Sequence, residues 1–271
     1  MCRIMFLKWK NKKLALEYLD AFYNAWCNDP YLENVAKLLN VPWIKNQHIH
    51  WWGYLLVSSD SIDLYRNWKF FYEDKKWFDN LKYKLKNINW EFLLMTELRI
   101  TDIWYVSAFT AHPFPILTKN AYDGWLFFNG LLDYEKLAKL ENIDYSSYSK
   151  KNGTIIMSLS IWNELEKWKS FKEAIKSPKK ALKSWYNLMS FLHWPNGYKA
   201  YVNSYVKEEL LEHKIAYDYY KLLYKEYWDL FFVGSSAIWV YKKEDYNIMK
   251  NWELFEFDIK WINEFYFNTY N

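Results

Sequence analysis

The second residue of the chain is a cysteine, followed directly by an arginine. Aminopeptidases remove an initiator methionine when the next residue is small, and Cys2 qualifies, so Met1 is expected to be lost. Cys2 then carries a free α-amino group, whose ordinary pKa of about 7.7–8.0 suits a general base at neutral pH. One residue would supply both nucleophile and base. Taken alone, Cys2 reads more simply as a stray thiol at a frayed end. Other familiar reactive patterns are missing: there is no Gly-rich dinucleotide loop, no phosphate-binding loop, no H-E-x-x-H and no G-x-S-x-G. His48 and His50 would share one face of an extended run, but two histidines without a third ligand do not make a metal site. No metal and no organic cofactor is expected.

The elements that must hold Cys2 follow from hydrophobic periodicity. Residues 2–7 read as a strand starting at the N-terminus itself. A helix follows through Leu14, Tyr18, Leu19, Phe22 and Trp26, ended by Asp29-Pro30, and a second covers 31–40 before Pro42. Strand patterns occupy 51–58, 62–66 and 90–99, with a helix over 75–86 between the last two. A further strand over 124–129 would end in an Asn129-Gly130 turn. Helical patterns return at 153–169 and 178–192, and strands are expected at 198–206, 215–224, 229–240 and 253–259. With no repeat and no Gly/Ser/Pro linker, residues 2–271 read as a single domain of layered α and β elements.

Composition narrows the class. The chain has 271 residues, of which 52% are hydrophobic and 25% charged, so it is globular in type. Aromatic residues reach 23%, with only 6 Gly and 6 Pro, which excludes collagen-like and linker-rich readings. A net charge of +4 is too weak by itself to imply nucleic acid. Interleaved aromatic and basic residues, as in Trp162 to Lys172, could stack bases, but Trp162, Leu165, Trp168, Lys169 and Lys172 also have the spacing of an ordinary amphipathic helix. Two cysteines cannot build a disulfide framework. The start is no signal peptide and the longest apolar run is too short to span a bilayer, so a soluble cytoplasmic protein is expected.

Several short segments, in order, alter the reading of Cys2. They are Met1-Cys2-Arg3, His48-Ile49-His50-Trp51-Trp52-Gly53-Tyr54, Leu64-Tyr65-Arg66, Leu98-Arg99-Ile100-Thr101, Ala111-His112-Pro113-Phe114, Trp125 to Gly130, and Val233-Gly234-Ser235-Ser236. Together the chain resembles the class II glutamine amidotransferases, of the stand-alone bacterial and archaeal type that begins Met-Cys-Arg. The resemblance implies an α+β fold, the four-layer αββα sandwich of N-terminal-nucleophile hydrolases. It implies that Cys2 attacks the γ-carbonyl of glutamine or a γ-glutamyl compound to form a thioester. Asn129 and the Gly130 backbone N–H would hold the oxyanion, and Arg99, Thr101 and His112 would bind substrate, Arg99 through the α-carboxylate. Arg3 would anchor the first strand or help place Cys2. Any ammonia acceptor would be a separate synthase.

This sequence also departs from the family pattern. Glu97 stands where the family has the histidine before the arginine, Phe128 where it has the histidine before Asn-Gly, and His50 and Trp51 replace an Asp and a Gly. No carboxylate occupies 151–154, where the family places the residue that holds the substrate ammonium. The pocket is therefore narrower and more apolar, or filled. The alternatives are a catalytically degenerate relative acting as a scaffold or regulator and, further off, a nucleic-acid-binding module.

Overall fold

The structure is a computed structural model that describes residues 2–38, 40, 47, 51–67, 71–99, 111–117, 123–148, 153–194 and 196–262. The chain starts with β1 (Cys2–Trp9), α1 (Lys12–Cys27) and α2 (Leu32–Leu38). It continues through β2 (Trp51–Ser58), β3 (Ile62–Asn67), α3 (Phe71–Asn87), β4 (Phe92–Arg99), β5 (Phe114–Leu117) and β6 (Asp123–Leu132). A helical stretch follows: α4 (Tyr134–Leu140), α5 (Tyr145–Tyr148), α6 (Gly153–Leu165) and α7 (Phe171–Ala174). Next come β7 (Leu182–Trp194), β8 (Gly197–Val206), α8 (Glu208–Leu211) and α9 (Lys214–Tyr220). The described chain ends with β9 (Leu222–Glu226), β10 (Leu230–Ser235), α10 (Ser236–Lys242), β11 (Asn247–Ile248) and β12 (Glu253–Ile259).

Two antiparallel sheets result. The first has seven strands in the order β11-β9-β10-β1-β4-β2-β3, and the second has five in the order β12-β8-β7-β6-β5. The N-terminal strand is thus the central strand of the larger sheet. Side chains alternate between the two faces of each strand, and both faces here are buried. Ile4 and Phe6 of β1, Leu93 and Met95 of β4, and Trp125 and Phe127 of β6 meet in the core between the sheets. Met5 and Leu7 point the other way, onto α1, α3 and α10. On the far side of the second sheet, Leu126 and Phe128 pack against α4, α6 and α7. The layers run helix, sheet, sheet, helix, as the αββα expectation requires.

Burial on both faces also explains where the sequence-based expectations fail. Strands covered on two sides read as continuous apolar runs instead of alternating ones. The segment expected to be helical over 178–192 is instead a 3₁₀ turn at Ser177–Ala181 followed by β7, which pairs with β6 and β8. The expected strand over 215–224 is α9 and then β9: Ala216, Tyr219 and Tyr220 fall on one helical face against Leu32, Val35 and Trp185. The expected strand over 229–240 is β10 running into α10, whose Trp239 packs edge-on to Tyr18 of α1. Asn129-Gly130 is no turn. Both residues lie inside β6, which continues to Leu132 with an irregularity between Gly130 and Leu132.

Candidate active site

Three strands of the larger sheet bring one row of residues together. Cys2 of β1 pairs with Arg99 of β4, and Arg99 pairs with Trp51 of β2. Alternation along β4 turns Glu97 to the same inter-sheet face as Arg99, so a carboxyl, a guanidinium, a thiol and an indole converge at one end of the sheet. Cys2 is only 5% exposed. Its end of β1 is held from two sides. Ser235 Oγ accepts from the Ile4 backbone N–H at 3.0 Å, and the Asn129 side-chain amide donates to the Cys2 carbonyl at 2.9 Å. Asn129 is held in turn by Trp185 Nε1, which donates to its Oδ1 at 2.9 Å, while the Trp185 ring stacks on Tyr220 at 3.7 Å.

His112 arrives from the segment before β5. Its backbone crosses Gly53, where a Cβ would fall 1.9 Å from the His112 carbonyl oxygen, so only glycine permits this approach. His112 Nδ1 then lies 3.4 Å from Glu97 Oε2, with both residues 1% exposed. The Cys2 thiol and the Phe128 backbone N–H lie close enough to act on the Glu97 carboxyl, yet neither of its oxygens has a hydrogen-bond partner among the described residues.

Burial dominates the electrostatics. It pushes the Cys2 thiol up to about 11, with Glu97 adding to the shift and Arg99 opposing it. It pushes the Glu97 carboxyl up to about 8, against the pull of Arg99 and the Cys2 contact. It drives His112 well below the ordinary histidine value, helped by Arg99 and Arg66, which keeps the imidazole neutral. Tyr134 of α4 borders the same group: its phenol is hydrogen-bonded to Thr154, burial raises it to about 12, and it senses Arg99, Cys2 and Glu97.

No protein-family model and no curated protein matches this chain. Among solved structures, the chain is similar to the glutamine phosphoribosylpyrophosphate amidotransferase from B. subtilis complexed with ADP and GMP. The TM-score is 0.58 at 12% identity, over 95% of this chain and 47% of that one. It is also similar to the structure of the allosteric regulatory enzyme of purine biosynthesis, with a TM-score of 0.61 at 12% identity over 94% of this chain and 47% of the other. The chain folds like a glutamine amidotransferase. It spans about half the length of those two structures.

Within this fold the sequence-predicted residues take definite places. Cys2, Arg99, His112 and Asn129 meet at one end of the sheets. The Arg99 guanidinium carbon lies 5.2 Å from the Trp51 ring, and its buried Nη1 has no hydrogen-bond partner among the described residues. Gly130 follows Asn129 in β6, where a Cβ would meet the Phe128 ring at 2.3 Å and the Trp185 carbonyl oxygen at 2.7 Å. Thr101, His48 and His50 lie outside the described residues, as do Lys151 and Asn152.

Two further residues of the neighbourhood take definite places. Phe128 does not line the site: alternation turns it to the outer face, where it packs edge-on to Tyr186 in the core beneath α4 and α6. Arg3 points away from Cys2 for the same reason. It is fully buried, and Nε and Nη2 donate to the two Asp29 carboxylate oxygens at 2.5 and 2.8 Å, Nη1 donates to the Tyr219 carbonyl at 2.8 Å, and the Tyr219 ring lies 3.8 Å away. It anchors β1 to the helical layer.

Sequence reasoning missed Trp185, Tyr134 and Asn187, which stands opposite Asn129 and is fixed by the Tyr220 carbonyl and the Ser204 hydroxyl. Reading 182–194 as a strand would have put Trp185 and Asn187 on the Asn129 face. Among the described residues no cluster of three His, Cys, Asp or Glu could hold a metal, and no helix is long and apolar enough to cross a membrane. An open groove of about 730 Å³ at the β7–β8 hairpin lies at the far end of the sheet, since Asp123 pairs with His193 there while Asn129 pairs with Asn187.

Proposed function

We propose that the chain is a class II glutamine amidotransferase-like hydrolase that cleaves the γ-amide of glutamine or of a γ-glutamyl compound through a thioester on Cys2. The observation that carries this reading is the meeting of Cys2, at the head of the central strand, with Arg99 on one side and Asn129 on the other. The Cys2 sulfur attacks the γ-carbonyl, ammonia leaves, and water cleaves the thioester. A buried guanidinium nitrogen on Arg99 that is unpaired among the described residues suits a bidentate substrate carboxylate. Asn129 spends one amide hydrogen on the Cys2 carbonyl and keeps a second, which with the Gly130 N–H would receive the oxyanion. His112 and Thr101 complete the proposed substrate contacts, residues 2–271 act as one domain, and a separate synthase would take any ammonia.

The packing beside Arg99 favours a second reading, a degenerate relative acting as a scaffold. The Trp51 ring occupies space there, and burial raises the Cys2 thiol, which disfavours the thiolate. Intact mass before and after exposure to a glutamine-analogue diazoketone separates the two. Loss of one methionine and gain of a single adduct, absent in Cys2→Ala, is the expected result. Retention of Met1, or a processed chain that takes no adduct, supports the scaffold.

A further inference from the structure

Glu97 is the charged group nearest the nucleophile that the reaction above leaves without a role. Its carboxyl is buried, lies on the same inter-sheet face as Cys2, where Arg99 pairs with Cys2 and Glu97 stands two residues before it, and has no hydrogen-bond partner among the described residues. Such a group is costly to keep unpaired in a core. Buried carboxyls placed against a nucleophile are candidates for proton transfer.

We propose that Glu97 is a further catalytic residue of this site: its carboxylate takes the Cys2 thiol proton during attack and delivers it to the leaving nitrogen, with His112 bordering the carboxyl. This rests on the hydrolase reading above and adds the group that moves the proton. In the first half-reaction the S–H bond breaks as the S–C bond forms, and the proton goes to Glu97. Collapse of the tetrahedral adduct breaks the C–N bond, the Glu97 proton passes to nitrogen, and ammonia leaves neutral. In the second half, water attacks the thioester and gives one proton to Glu97. The C–S bond breaks, the proton returns to sulfur, and the acid product departs. Atoms and charge balance without a further reactant.

Each neighbouring element contributes to the tuning of this carboxyl. Cys2 faces it from β1 and Arg99 from β4, and Arg99 and the N-terminal amine both pull its pKa down. The Phe128 N–H reaches it from β6, Tyr134 lies near on α4, and His112, itself within the field of Arg66, sits at 3.4 Å. His112 stays neutral, so at 3.4 Å it borders the carboxyl without trapping it as a permanent ion pair.

The test is the pH dependence of Cys2 alkylation by iodoacetamide, read by mass in a Cys27→Ala background. Iodoacetamide needs no glutamine-shaped pocket, so failure of the diazoketone and failure of this proposal are distinguishable. Wild-type Cys2 is expected to react with an inflection near pH 8, to which both Glu97 and the Cys2 α-amine contribute. Glu97→Gln should shrink the inflection and lower the rate at that pH at least tenfold, although the amine is still present. Turnover of a γ-glutamyl amide should fall by about 10²-fold or more with KM little changed, the usual loss on removing a general acid–base group. If Glu97→Gln fails to fold, Glu97→Asp carries the test: it keeps a carboxyl one methylene short of the sulfur and must slow the reaction while keeping a pH inflection. A faster reaction in Glu97→Gln would show that the carboxylate only repels the thiolate, and overturns the proposal. An unchanged profile, or a wild-type Cys2 that never reacts, overturns it equally.

Discussion

At Arg99, a buried guanidinium nitrogen has no hydrogen-bond partner among the described residues, while the Trp51 ring lies beside it. A planar, two-pronged donor on a firm aromatic wall fixes the angle at which a carboxylate enters. Lysine keeps the charge and loses the fork. Arg99→Lys should therefore lower kcat/KM for a γ-glutamyl amide by about 10–100-fold, mostly through KM, with the melting temperature little changed. Steady-state kinetics beside a thermal melt decide it. Glu97 makes a second prediction, about stability. Folding raises its pKa from 4.5 to about 8, so the folded chain binds this proton more tightly than the unfolded one. That contribution is complete below pH 4.5 and is lost as pH rises through about 8, at up to about 1.4 kcal/mol per pH unit. Denaturant unfolding at pH 5, 6.5 and 8 should show the decline, and Glu97→Gln should flatten it. A decline of equal slope in the variant would assign it to other groups.

At the scale of elements, the central strand β1 serves both sides of its sheet. Its inward residues deliver Cys2 to the site, and its first outward residue, Arg3, ties the same strand end to Asp29, just beyond the end of α1. A buried ion pair adds little net stability compared with apolar packing, but breaking it strands a charge. Asp29→Ala should cost about 3–5 kcal/mol by urea titration and release the end of β1. Diazoketone labelling of Cys2 should fall with it, although Asp29 does not face the site. The strands were legible where a turn or a charged residue bounded them, as at 51–58 and 253–259. They were not legible in β7, because a strand buried on both faces lacks the period-2 signal and its apolar run fits a helix equally well.

Across the whole molecule, the two sheets share one core, in which Phe6 of β1 stacks on Phe257 of β12 at 5.2 Å and meets Phe231 edge-on. Neither sheet has an inner face of its own to keep dry. Unfolding should therefore be a single transition, with tryptophan fluorescence and far-ultraviolet circular dichroism superimposing. Phe6→Ala should lower stability by about 3–5 kcal/mol while leaving the transition single. Separate midpoints would mean that the sheets belong to independent units.

The amino-acid sequence supplies the kinds of residue available and their order: a thiol at position 2, an arginine at 99, a histidine at 112 and an Asn-Gly pair at 129–130, whose resemblance to the class II glutamine amidotransferases implies an αββα fold. Those are local properties, carried by residue identity and separation. Only the tertiary structure decided which of them face each other. It turned Phe128 and Arg3 out of the site and turned Glu97 in, because a one-residue step along a strand reverses the face and the face has meaning only once the second sheet is packed. It also placed Trp185 behind Asn129 and His112 over Gly53, contacts between segments more than 50 residues apart that no local pattern encodes.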